Sequence, residues 1–259
     1  MDRLTITYER VWAAFQQSRS TADGRHDTPY WRAHSDPYAA CVVRVPAEDL
    51  APNLTILRRQ LAELPGVRLH PDHFLHIMLQ ELGFVVKVPR QPDEISTARL
   101  EEFAQSIVEP VSSARPWPVT LGGINSFHDA VFLDVRGGAP LLPLHERLFD
   151  LAALPTRPSY SYLPHCTIAH YDGTTPHEEA LALLAPWRNE LIGPSPPCTL
   201  EKRAHWPVHG RRSRDRDARS ERTLSRTDHL RGDTDWRLGR QTVSPPRLGS
   251  PLRRRSRRN

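Results

Sequence analysis

Polar and apolar residues sort along this chain into two rhythms. Short runs rich in β-branched, aromatic and aliphatic residues occupy 40–45, 73–80, 118–122, 130–135 and 160–171. Several alternate with period two, and they predict strands. The second rhythm is the three- to four-residue apolar spacing of an amphipathic helix. It marks Leu54, Leu57, Leu61 and Leu64 ahead of Pro65-Gly66, then Leu100, Phe103, Ala104 and Ile107 ahead of Pro110, then Leu144, Leu148, Leu151 and Ala152. A helix is also predicted over 8–17, inside an N-terminal extension, 1–37, that otherwise carries little signal. Thr175-Pro176-His177-Glu178 has the form of a capping box with proline at the first helical position. It predicts a helix through Leu181 and Leu184 to Trp187.

The order strand-helix-strand-helix-strand occurs twice. Cys41 aligns with Val131, Leu54 with Leu144, Leu61 with Leu151 and His76 with His165, at offsets of 90, 90, 90 and 89 residues. Self-similarity at a constant period is the signature of an internal repeat. The expectation is therefore an α+β domain over 38–200, built of duplicated β-α-β-α-β lobes with pseudo-twofold symmetry around a central cleft.

Charge changes this picture at one end. The net charge of +5 conceals a segment, 201–259, with 18 Lys+Arg against 7 Asp+Glu, while the rest of the chain is net −6. From Gly193 the periodicity fails, with Cys198-Thr199-Leu200-Glu201 as a faint closing strand. The Arg-rich, Pro-rich remainder is expected to be disordered. An arginine tail attracts polyanionic RNA through counterion release; a solvated extension without a partner, or a change of reading frame near Pro194, would leave the same pattern. No apolar run is long enough to span a membrane and no signal peptide is indicated, so the expected location is cytoplasmic. The three cysteines, Cys41, Cys166 and Cys198, lack CxxC spacing and read as reduced thiols.

Chemistry concentrates on two strands. In 160–171, alternation puts His165, Thr167, Ala169 and Tyr171 on one face and Cys166, Ile168 and His170 on the other. A histidine beside a hydroxyl can protonate and hold an oxyanion, whereas Cys166 on the opposite face reads as core. In 73–80, the same alternation groups Phe74, His76, Met78 and Gln80. His70, His73 and His76 also read as H-x2-H-x2-H, but alternation separates His73 from His76, so no metal site is predicted.

The paired motifs His76-Ile77-Met78-Leu79 and His165-Cys166-Thr167-Ile168, the second preceded by Pro164, resemble the two-histidine (2H) phosphoesterase superfamily. That group includes RNA 2′,3′-cyclic phosphodiesterases and 2′-5′ RNA ligases, and its hallmark is one His-X-Thr/Ser-hydrophobic motif per lobe. The resemblance spans roughly 38–190, including Gln80-Glu81-Leu82-Gly83 after the first motif and Ser126-Phe127 before the 130–135 strand. It implies a hydrolase of RNA-processing type acting on 2′,3′-cyclic phosphate or 2′-5′ linked RNA or nucleotide ends. His76 and His165 would be general acid and base, Thr167 a phosphate donor, and no cofactor or metal would be required. Met78 stands where the family has Thr or Ser, and a thioether cannot donate a hydrogen bond. Gln80, on the same face as His76, could supply a replacement donor or be a solvated strand end; Tyr171 could stack on a base or touch phosphate, or be an ordinary packed tyrosine; and His170 falls where some relatives carry arginine. The competing expectation is a weakened or noncatalytic nucleotide- or RNA-binding protein.

Overall fold

The computed structural model describes residues 3–24, 34–47, 50, 52–113, 117–154, 161–190 and 197–198. Strand β1 (Tyr38–Arg44) pairs with β3 (His76–Val86), β3 with β8 (His165–Tyr171), β8 with β7 (Ala130–Arg136) and β7 with β6 (Thr120–Ser126). All four pairings are antiparallel. β2 (Val67–Leu69) joins β8 antiparallel, and β4 (Glu94–Ser96) joins β3 in parallel. A two-stranded ladder of β5 (Trp117–Pro118) and β9 (Pro197–Cys198) stands apart. The fold is α+β around a predominantly antiparallel sheet.

Six α-helices fill in the described chain: α1 (Arg3–Gln17), α2 (Pro52–Glu63), α3 (Thr97–Ser106), α4 (Val108–Ser113), α5 (Leu141–Ala152) and α6 (His177–Leu184). The apolar stripes read from the sequence are the buried ones. Leu57 and Leu61 of α2, Leu100 and Phe103 of α3, and Leu148 of α5 share one core with Ile77, Leu79, Leu133, Val135, Cys166 and Ile168. Each such side chain contributes about 1.5–3 kcal/mol on burial. Ser96 caps α3 by accepting a hydrogen bond from the Arg99 N–H at 3.1 Å.

Several expectations are corrected. Helix α1 begins at Arg3 rather than residue 8, and it sends Trp12 and Phe15 into the main core. Leu4 and Tyr8 close a smaller cluster over Phe132. His73 lies in a 3₁₀ turn (Asp72–Phe74), not in a strand. Strand β8 starts at His165, because 161–164 form no ladder. The capping box is absent: Pro176 occupies the cap position without a side-chain bond, Thr175 Oγ1 is buried without a partner, and the helix gives way to a 3₁₀ turn at Ala185–Trp187. The strand predicted at 118–122 continues to Ser126 and pairs with β7, so the boundary between the expected lobes runs inside a shared sheet. Of the closing strand only Pro197–Cys198 is described; Thr199-Leu200-Glu201, the tail over 201–259 and Tyr160 lie outside the described residues. Among the described residues no helix is long and apolar enough to cross a membrane.

Candidate functional site

Strands β3 and β8 touch at one ladder pair, Ile77 with Cys166. The antiparallel register, carried one residue to either side, sets His76 across from Thr167 and Met78 across from His165. The two histidines then occupy diagonal positions, about 7–8 Å apart for such neighbours. That separation leaves room for a tetrahedral anion between them.

Both strands bend at the same place. Against β7, Phe132 pairs with Thr167 and Val131 with Ala169, so Ile168 is an extra residue. Against β1, Val42 pairs with Met78 and Cys41 with Gln80, so Leu79 is an extra residue. Each bulge falls three residues after its histidine, and a bulge interrupts the period-two alternation. Burial runs in the same order on both strands up to that point: His76 and Met78, like His165 and Thr167, are partly exposed, while Ile77 and Leu79, like Cys166 and Ile168, are buried.

Beyond the bulges the faces exchange, and this corrects three side chains. Tyr171 is fully buried, shares a hydrogen bond with Ser126 Oγ at 2.9 Å and stacks on Phe15; it is turned away from any ligand. Gln80 is 3% exposed and its Nε2 donates to the Glu81 carbonyl at 2.6 Å, so it is not a second donor beside His76. His170 moves the other way, becoming partly exposed, with its ring 4.8 Å from that of His70.

The imidazoles are fixed alike. His76 Nδ1 bonds to the Phe74 carbonyl and His165 Nδ1 to the Leu163 carbonyl, each at 2.7 Å and each two residues upstream. A carbonyl only accepts, so both rings carry hydrogen on Nδ1 and leave Nε2 to react. Aromatic edges hold the planes: Phe74 lies 5.2 Å from His76, and Phe127 and Phe132 each lie 5.2 Å from His165. Burial lowers the pKa of His165 below the ordinary imidazole value. The Leu163 carbonyl works against that shift, the positive charge of His76 works with it, and Asp129 opposes it. His165 is therefore neutral at neutral pH.

Tyr8 links β7 to the residue before β8, its hydroxyl donating to the Pro164 carbonyl and accepting from the Val135 N–H at 3.2 Å. Asp134 is the register partner of His165, but its carboxylate is taken by Arg188 at 2.6 Å and Asn125 at 3.0 Å. Cys166 is buried and its thiol is pushed up to about 12 by burial, as expected of a core residue. Among the described residues no group of three His, Cys, Asp or Glu side chains is arranged to hold a metal. The contacts of Phe74 and Phe127 with the imidazoles, and the meeting of His70 with His170, were not read from the sequence. A period-two reading carries no mark of a bulge.

Two solved structures are similar over much of their length. The crystal structure of TT0787 of Thermus thermophilus shares 18% identity over 62% of this chain and 82% of its own, with a TM-score of 0.41. The MHV ns2 PDE domain shares 18% identity over 55% of this chain and 87% of its own, with a TM-score of 0.37. No curated protein shows a significant sequence match to the chain. The family model described as 2′-5′ RNA ligase superfamily matches residues 46–200.

Proposed function

Because the chain belongs to the 2′-5′ RNA ligase superfamily, we propose that it is a metal-independent phosphoesterase acting on 2′,3′-cyclic phosphate or 2′-5′ linked RNA or nucleotide ends. The observation that carries this reading is the matched pair of imidazoles, each pinned through Nδ1 by the carbonyl two residues before it. In cyclic-phosphate opening, one Nε2 removes a proton from water as its oxygen attacks phosphorus. The other delivers a proton to the departing ribose oxygen, and one P–O bond replaces another. His165, held neutral by burial, is suited to be the base, which leaves His76 as the acid. Thr167, across from His76 in the carried register, donates to a nonbridging phosphate oxygen and stabilises charge in the transition state.

The proposed architecture is a duplication, with β1, α2 and β3 repeated as β7, α5 and β8 about the Ile77–Cys166 contact. The offset of 89 residues between the histidines, the bulge at the third residue after each and the shared burial order support it. The substrate partner is an RNA end or small nucleotide, with the Arg-rich tail adding affinity for RNA.

Met78 favours a second reading, a weakened or noncatalytic binder, because it removes one phosphate donor. One assay separates them: turnover of a 2′,3′-cyclic nucleotide and a short cyclic-ended RNA in EDTA, beside His165→Ala. The enzyme reading expects the variant to lose about 10²–10⁴ in rate. Equal turnover by both proteins rejects it.

A further inference from the structure

Beyond Thr167, β2 and β8 carry nitrogen-bearing side chains that the proposed reaction does not use. Arg68 of β2 is the register partner of His170 on β8. Two residues on, the His70 N–H bonds to the Ile168 carbonyl at 2.8 Å, which brings the His70 ring 4.8 Å from His170. His70 also packs on Phe74, whose other neighbour is His76. This second group therefore adjoins the reacting face, three strand residues or roughly 10 Å from Thr167.

Its electrostatics are one-sided. Among the described residues, the groups whose charge acts on His70 are His170, His76, Arg58 and Arg68, with no carboxylate among them. Two acids lie nearby: Asp72 pairs with Arg58, and Asp23 lies 3.8 Å from Arg68, offsetting part of that guanidinium's charge at the outer edge. His70 Nδ1 is buried and has no hydrogen-bond partner among the described residues. A buried, unpaired polar nitrogen in cationic surroundings is stabilised by an anion that bonds to it.

We infer that His70 and His170, with Arg68 at the rim, form a subsite for a second phosphate of the substrate, beside the phosphate attacked between His76 and His165. The location of the first phosphate rests on the function proposed above. The second can be the terminal phosphate of a small nucleotide or the next phosphodiester of an RNA chain.

Calorimetric binding to the full chain tests this without requiring turnover. The ligands are adenosine 2′-monophosphate, adenosine 2′,5′-bisphosphate and the adenylyl dinucleotide ending in a 2′-phosphate. The bisphosphate or the dinucleotide should bind about tenfold or more tighter than the monophosphate, and which one does so identifies a terminal or an internal second phosphate. His170→Ala and His70→Gln should erase that advantage. Arg68→Ser, at a side chain 44% exposed and so harmless to packing, should reduce it. Equal affinity for all three ligands, or an advantage unaltered by all three variants, overturns the subsite. A retained advantage in a protein that does not hydrolyse cyclic nucleotides would reject the enzyme reading and keep the subsite.

Discussion

Met78→Thr is expected to raise kcat on a 2′,3′-cyclic nucleotide. Met78 is partly exposed on the face of His76 and, in the carried register, stands across from His165. In the proposed reaction, a phosphate between the histidines would thus receive a hydroxyl from the β8 side alone. One transition-state donor is worth about 2.7–4 kcal/mol, or 10²–10³ in rate, in a dry site, so recovery at this partly solvated position should reach tenfold or more. The stability cost is small. Half-burial of a methionine contributes about 1 kcal/mol, and threonine's preference for strands returns part of it. The Tyr162 hydroxyl bonds to the backbone carbonyl of residue 78 at 2.7 Å, a contact the substitution keeps. Initial rates in EDTA, with melting curves as a check on folding, measure the effect. The gain must disappear in the Met78→Thr, His165→Ala double variant, since a donor without its base has no step to accelerate. A folded Met78→Thr protein with unchanged kcat would refute the reasoning.

Other outcomes follow from the same geometry. Gln80→Leu should leave kcat unchanged and stability equal or higher by up to about 1 kcal/mol, because Gln80 Oε1 is buried without a partner; a large rate loss would return Gln80 to the site. Tyr8→Phe strips a partner from both the Pro164 carbonyl and the Val135 N–H, and denaturant titration should find a loss of about 1–3 kcal/mol. The pKa of His70 is lowered to about 3, by burial first and neighbouring cations second. The folded state therefore binds fewer protons than the unfolded chain below the ordinary imidazole pKa of about 6.5. Stability should be complete above that pH and fall on acidification, by at most about 1.4 kcal/mol per pH unit from this residue. Melting curves from about pH 7.5 to 5, spanning the unfolded imidazole pKa, should show a shallower decline for His70→Gln. With His165 as base, the acidic limb of kcat/KM should lie below the ordinary imidazole value, and a limb above it would reverse the acid and base assignments.

Local pattern was sufficient for the longer elements. Leu57 and Leu61 at helical spacing, or Val131, Leu133 and Val135 in alternation, bury the same stripe in the structure that they mark in the sequence. The paired motifs were legible too, because His76, Met78, His165 and Thr167 precede the irregularity in their strands. Cys166 was likewise assigned correctly to the core. Sequence by itself therefore determined the longer elements, their order and the first half of each motif, while the short β2, β4 and α4 went unread.

What tertiary structure decided lies beyond residues 78 and 167. A bulge is defined by two strands together, since the extra residue exists only relative to a partner: Leu79 against β1, Ile168 against β7. One extra residue exchanges the faces of everything after it, which buries Tyr171 and Gln80 and brings His170 round to His70. The role of α1 was equally illegible. Its spacing shows an apolar face, but that Tyr8 would meet Pro164, 156 residues away, depends on how the sheet closes beneath it. Periodicity is a property of one segment, whereas register and packing belong to pairs of segments.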